Sequence, residues 1–221
     1  MPSRSGQVPK DAVHHPIFAR FYEKQSVAAE KLIATHRKEL LAGLTGRVIE
    51  IGAGNGLNFA HYPSAVSEVV AIEPERHLRQ LAATAALRAE VPVDVVPGAA
   101  EALPVKSEAF DAAVFSLVLC SVRDVPRALA EARRVLRPGG ELRFFEHGRA
   151  PKSRAMVGFQ RGLDATLWPR LFGGCHVARE PVASLRDAGF EIAASRDFLI
   201  PPSRLRLPTS YCVIGTARRS D

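Results

Sequence analysis

The chain has 221 residues, 47% of them hydrophobic, which suits one compact domain with an ample core. Its net charge of +7 is uneven: residues 1–47 sum to +4, 48–150 to −2, 151–195 to +2 and 196–221 to +3. The basic excess therefore lies on the flanks, which argues against a nucleic-acid cleft, where basic and aromatic residues gather beside the site. Three cysteines, Cys120, Cys175 and Cys212, are odd in number, widely separated and without metal-ligand spacing. That argues against a disulfide framework or a metal site, and it points to a reducing, cytoplasmic setting.

Residues 1–12 are polar, contain Pro2, Gly6 and Pro9, lack the apolar core of a signal peptide, and are expected to be loosely attached. Apolar positions from Ile17 to Leu44 recur at three- and four-residue spacing, predicting one or two amphipathic helices that end near Gly43. Val48 to Ile51 reads as a buried strand. It is followed by a short helix over Leu57–Tyr62 that Pro63 stops, a second strand at Glu68–Glu73, a helix over Glu75–Glu90 and a third strand at Val91–Val96. A fourth strand follows at Phe110–Val118. Asp124 with Pro126 starts a helix that is expected to run to Arg137, and Pro138, Gly139 and Gly140 turn it into a fifth strand, Glu141–Glu146.

After Pro151 the alternation lapses into an added helical stretch, Ser153–Leu171. Helix Glu180–Ala188 and strands Phe190–Phe198 and Thr209–Thr216 then close the chain. Strands alternating with helices imply an α/β doubly wound sheet of Rossmann type, with ligand loops at the carboxyl ends of its strands. No stretch reaches the ~18–20 apolar residues needed to span a bilayer. The longest, Ala112–Val122, contains Ser116, Cys120 and Ser121.

The first strand runs into glycines at every second position, Gly52, Gly54 and Gly56, where bare backbone and a helix amino end can meet a ligand. The third dinucleotide glycine is replaced by Leu57, while Glu50 supplies an acid within the strand; this spacing favours S-adenosylmethionine over a dinucleotide. Glu73, closing the second strand, is placed to accept bonds from ribose hydroxyls. Pro74 offers a flat apolar border for adenine. Ser116 and Leu117, at the end of the fourth strand, border the methionine side. Ala53, Asn58 and Ala100 complete the expected cofactor set.

The stretches EALPVKSEAFDAAVF (Glu101–Phe115) and RRVLRPGGELRFFEH (Arg133–His147) follow in the order seen in class I S-adenosylmethionine-dependent methyltransferases, which this chain resembles. LVLCSV (Leu117–Val122), FFEH (Phe144–His147), LDATLWPRLFGGCH (Leu163–His176) and the Arg179 that follows are similar to the small methyltransferase-like 7 and alkyl-thiol S-methyltransferase group and its actinobacterial relatives. The likeness covers roughly residues 46–190. It implies a single seven-stranded domain, mostly parallel with an antiparallel last strand. Residues 1–45 would form a helical cover, 46–150 the cofactor-binding core, 151–178 a helical insertion roofing the acceptor pocket, and 179–221 the rest of the sheet. Many relatives place an aspartate where Ala99 stands, so either Glu101 or backbone carbonyls are expected to make the adenine contact.

The reaction expected is methyl transfer to a small-molecule acceptor, with a thiol favoured by the resemblance. An oxygen or nitrogen acceptor on a natural product or lipid is the alternative, and a nucleic acid is a second one, disfavoured by the acidic core and the absence of N-P-P-[YF]. Glu146, His147 and His176 are the candidate bases, and no metal is required. Asp164 and Arg179 read as an ion pair, and Trp168 as pocket wall. His14, His15, His36, His61 and His77 read as solvated. The relatives' hydrophobic N-terminal anchor has no counterpart here, so a cytoplasmic protein is expected, with peripheral membrane contact left open.

Overall fold

The computed structural model describes residues 16–151, 153–202 and 206–220. The expectations for residues 1–12, His14 and His15, and the side chains of Ile17 and Phe18, lie outside them. Seven strands form one sheet: β1 (Gly46–Ile51), β2 (Val66–Ile72), β3 (Val93–Val96), β4 (Phe110–Ser116), β5 (Leu136–His147), β6 (Phe190–Leu199) and β7 (Tyr211–Arg219), in spatial order β3-β2-β1-β4-β5-β7-β6. The first five pair in parallel, and β7 runs antiparallel to both β5 and β6.

Alternation along the central strands builds a core on each face. Ile49 and Ile51 face the cluster formed with α3 (Val125–Val135) and α6 (Pro181–Asp187), through Ala128, Leu129, Ala132 and Leu185. Val48 faces the other cluster, formed with α1 (Pro16–Leu41) and α2 (Arg76–Ala86), through Leu40, Leu41 and Ala82.

Local chemistry sets the element ends. The Glu75 carboxylate caps α2 by accepting from Leu78 N–H at 2.8 Å, and Asp124 caps α3 by accepting from Arg127 N–H at 3.0 Å. The segment up to Gly43 is one helix rather than two. Leu57–Tyr62 is shorter than expected, a single 3₁₀ turn over Phe59–His61. α2 stops at Ala86 and α3 at Val135. Leu136 is drawn at once into pairing with Phe110, so Pro138, Gly139 and Gly140 sit inside β5, where the pairing shifts register and Gly139 takes φ 71°. The insertion is two helices, α4 (Arg154–Asp164) and the short α5 (Trp168–Leu171), with Ser153 capping α4 through a 3.2 Å bond from Met156 N–H. No helix of the described residues is long and apolar enough to cross a membrane.

Candidate active site

The carboxyl ends of β1, β2 and β4 meet where β1 leaves the sheet. Gly52 adopts φ 76°, and a Cβ there would lie 2.6 Å from Val118 Cγ2, so only glycine lets β1 turn against the loop after β4. Gly54 takes φ 58°, with Tyr22 of α1 3.4 Å from where its Cβ would stand. Ala53 is buried, and its carbonyl accepts from Gly56 N–H at 3.0 Å, which closes the turn.

Glu73 is 5% exposed and fixes this turn: one oxygen accepts from Gly54 N–H at 2.7 Å, the other from Glu75 N–H at 2.8 Å. Burial pushes its pKa up to about 7 despite those two bonds. A carboxylate oxygen has two lone-pair sites, so each retains one for a further donor. Pro74, beside it, is half-buried, and its carbonyl and that of Glu73 accept from Arg79 Nη1.

Glu50 is turned to a different use. Its oxygens accept from Asn58 Nδ2 and from the Tyr62 hydroxyl, both at 2.8 Å, and burial raises its pKa to about 7. It anchors the segment after the glycines, and Asn58 is its partner rather than a free side chain. Asn58 Oδ1 in turn accepts from Arg37 Nη1 at 2.7 Å, and the same nitrogen lies 3.4 Å from Ser116 Oγ. Arg37 belongs to α1, is 5% exposed, and also pairs with Glu30 at 3.1 Å. α1 adds Ser26 Oγ, which accepts from Asn55 Nδ2 at 3.0 Å, and Glu23, which pairs with His77 at 2.8 Å. Burial pushes the Tyr22 hydroxyl to about 12. Ser26, Arg37 and Asn55 are residues that sequence reasoning left out. α1 has no motif, and only its packing over the turn discloses them.

Elsewhere in the expected cofactor set, Ala100 is buried in a short turn where Ala99 bridges Ala102. The Glu101 carboxylate accepts from Arg123 N–H at 2.9 Å and Asp124 N–H at 3.4 Å, so it holds the approach to α3. Leu117 sits at φ 62°, a left-handed conformation costly for a residue with a side chain, and its N–H donates to Phe145 O at 2.7 Å.

The loop after β4 is held by Glu146. This fully buried residue accepts from Val118 N–H at 2.9 Å and Leu119 N–H at 3.0 Å through Oε1, while Oε2 has no partner among the described residues. Burial, and then the Cys120 thiol, raise its pKa well above the ordinary carboxyl range. His147 lies with Nδ1 3.7 Å from Cys212 Sγ, and burial pushes its pKa down to about 4. His176 is separate from both. Its Nδ1 lies 2.7 Å from Gly174 O and 3.3 Å from Arg179 Nη2; in the tautomer that donates from Nδ1 to Gly174 O, the Nε2 lone pair is left available.

Asp164 and Arg179 serve separately. Asp164 accepts from Val177 N–H at 2.8 Å and Ala178 N–H at 3.0 Å, whereas Arg179 donates to the carbonyls of Leu119 and Val122. Trp168 stacks on Phe172 at 3.9 Å, and Phe172 meets Phe21 of α1 edge-on at 6.4 Å. The insertion and α1 thus close over the same end of the sheet. Among the remaining histidines, His61 pairs with Glu30 at 3.5 Å and His36 packs against Phe198 at 4.2 Å.

A parallel sheet of this order, with a glycine turn, a carboxylate closing β2 and a helix across the crevice, defines an α/β enzyme built to hold a nucleoside-bearing cofactor. The methyltransferase domain family matches residues 49–144. Thiol S-methyltransferase TMT1B of Homo sapiens is 35% identical over 80% of this chain and 73% of its own length, and human TMT1A 33% over 78% and 72%. A Thermotoga maritima structure described as a SAM-dependent methyltransferase, possible histamine N-methyltransferase, shares the fold with a TM-score of 0.67 at 24% identity, covering 92% of this chain and 98% of that one. The chain belongs to the class I S-adenosylmethionine-dependent methyltransferases. S-adenosylmethionine is its cofactor, and the bare backbone at Gly54 and the spare lone pairs of Glu73 fit that molecule.

Proposed function

We propose that the enzyme transfers the methyl group of S-adenosylmethionine to the sulfur of a small, apolar thiol in the cytoplasm. When bound, the cofactor supplies a methyl group on a positively charged sulfur, reactive enough that no covalent enzyme intermediate is needed. Glu73 and the glycine turn are assigned to its ribose and backbone-facing side, Pro74 and Ala100 to the adenine end, and Ser116 with Leu117 to the methionine end. Arg37 and Tyr22 orient that end from α1. Alignment of acceptor and donor, with water excluded, lowers such barriers by about 7–11 kcal/mol.

The observation that carries the choice of acceptor is that Glu146 and His147, beside the loop after β4, are not set up to take a proton from an acceptor. Glu146 Oε1 is engaged with backbone amides, and burial and then the Cys120 thiol raise its pKa well above the ordinary carboxyl range, while His147, pushed by burial down to about 4, has little appetite for a proton. A thiol, with pKa about 8.5, already supplies some thiolate, whereas an alcohol or an ammonium group would need a base of real strength. The likeness to the two human thiol S-methyltransferases supports the same choice.

His176, with its free Nε2, is assigned the remaining proton. The test is kcat/KM across thiols of graded pKa at saturating cofactor. His176→Ala should lose about 10²- to 10⁴-fold on the least acidic thiols and little on the most acidic, while His147→Ala runs parallel to wild type. Parallel behaviour of His176→Ala would strip that residue of the role. No methylation of any thiol by the wild type would move the reading to oxygen or nitrogen acceptors.

A further inference from the structure

The loop after β4 and the segment that closes the insertion are sewn together by main-chain contacts. His176 N–H donates to Cys120 O at 2.8 Å, joining the peptide unit after Cys175 to the one after Cys120. Gly174 presses so closely on the same loop that a Cβ there would lie 2.8 Å from Ser121 O, and Arg179 adds a 2.8 Å bond to Val122 O. Cys175 is also the largest influence on the Cys120 thiol, whose pKa it raises. The main-chain bond, made by the residue next to Cys175, brings the two cysteines' backbones side by side, and a disulfide needs such an approach, with its Cα atoms about 4.4–6.8 Å apart. The pair is also asymmetric: Cys120 is 2% exposed, whereas Cys175 is half-buried and within reach of solvent.

We propose that Cys120 and Cys175 form a redox modification site, a dithiol that a hydroperoxide converts reversibly to a disulfide and so locks the roof of the acceptor pocket onto the loop after β4. Cys175 is the first to react. Its thiolate sulfur attacks one oxygen of hydrogen peroxide, the O–O bond breaks, and hydroxide leaves and takes up a proton as water, giving a sulfenic acid. The Cys120 thiolate then attacks the sulfenic sulfur; the S–S bond forms and a second water leaves. Two thiols have given up two electrons and two protons, and one peroxide has become two waters. An external dithiol returns the pair to its resting state by exchange.

The contact with Cys175 and burial hold the Cys120 pKa well above its ordinary value, so closure of the disulfide quickens as pH rises. Cys212, buried beside His147, lies outside the pair. The consequence for catalysis rests on the reading of this segment as the acceptor roof; the bond itself does not.

The experiment treats reduced full-length protein with hydrogen peroxide, blocks remaining thiols by alkylation, and maps unreduced peptides by mass. The expected result is a cross-link between the Cys120 and Cys175 peptides that dithiothreitol removes, together with a reversible fall in thiol methylation of roughly tenfold or more. Cys175→Ser should show neither the cross-link nor the reversible loss. Sulfinic acid at Cys175, or links to Cys212, with no Cys120–Cys175 peptide would overturn the proposal. A Cys120–Cys175 link with undiminished methyl transfer would uphold the disulfide and overturn the locking of the roof, and because the link is read by mass it needs no acceptor.

Discussion

Glu73 accepts from the amides of Gly54 and Glu75 while keeping one lone pair on each oxygen, so one carboxyl both shapes the turn and remains open to a ribose. Each hydrogen bond to a charged group is worth about 1.5–3 kcal/mol, so Glu73→Ala should weaken cofactor binding by roughly tenfold or more in calorimetry. Gly54→Val, at φ 58° beneath Tyr22, should abolish it. Because the carboxyl titrates near 7 without cofactor, and a donor hydroxyl favours the ionised form, affinity should rise with pH through about 7 and stop rising in the Glu73→Ala protein. Glu146 calls for the opposite substitution. Burial holds its pKa well above the ordinary carboxyl range, so Glu146→Gln, which keeps the Oε1 bonds, should leave kcat/KM within a few-fold. Glu146→Ala strands the amides of Val118 and Leu119 and should cost about 1–3 kcal/mol in urea denaturation. A Glu146→Gln enzyme with no activity would restore Glu146 as a base.

Helix α1 lies across the glycine turn and the end of β4, where we propose that it covers the cofactor crevice. Arg37 ties it to Asn58 and Ser116, Ser26 to Asn55, and Glu23 to His77, so the cover is joined to the floor by polar bonds rather than by apolar packing alone. Arg37→Met keeps the stem and loses the donors. It leaves Asn58 Oδ1 unpaired and should cost about 1–3 kcal/mol of stability, with an Asn58→Ala cost that does not add to it in a double-mutant cycle. The glycine turn and Glu73 could be singled out in the sequence because β1, the turn and the end of β2 follow one another within one βαβ unit, and the structure joins Glu73 to Gly54 by a direct hydrogen bond. Arg37 could not be. Its contacts lie 21 and 79 residues away, and an arginine on a half-exposed helix looks like any other until the helix is laid across the sheet. Glu101 shows a related ambiguity: an acid at a strand exit suits a ligand or the next helix equally, and here its Oε1 accepts from the amides of Arg123 and Asp124. The short reach of α3 was equally hidden, since Pro-Gly-Gly reads as a boundary although the sheet absorbs it as an irregularity within β5.

Across the whole molecule, three buried carboxyls with raised pKa set how the cofactor-free protein responds to pH. Glu50 ionises near 4.5 in the unfolded chain and near 7 in the fold; between those values the folded state holds the extra proton, so stability falls as pH rises. Such a shift corresponds to roughly 3 kcal/mol for one buried group. Glu50→Gln, which can still bond Asn58 and Tyr62, should flatten the decline of melting temperature over that window, and an unchanged profile would assign the titration elsewhere. The central claim, that this cover, crevice and roof move a methyl group to sulfur, is tested most directly by supplying S-adenosylmethionine labelled in its methyl group together with an apolar thiol and with the alcohol and amine of the same skeleton. The account predicts that label appears in the thioether, in step with formation of S-adenosylhomocysteine, and that the thiol outpaces its two isosteres by about 10²-fold or more. Label in the ether or the methylated amine instead, or cofactor bound tightly with no transfer to sulfur, would contradict it.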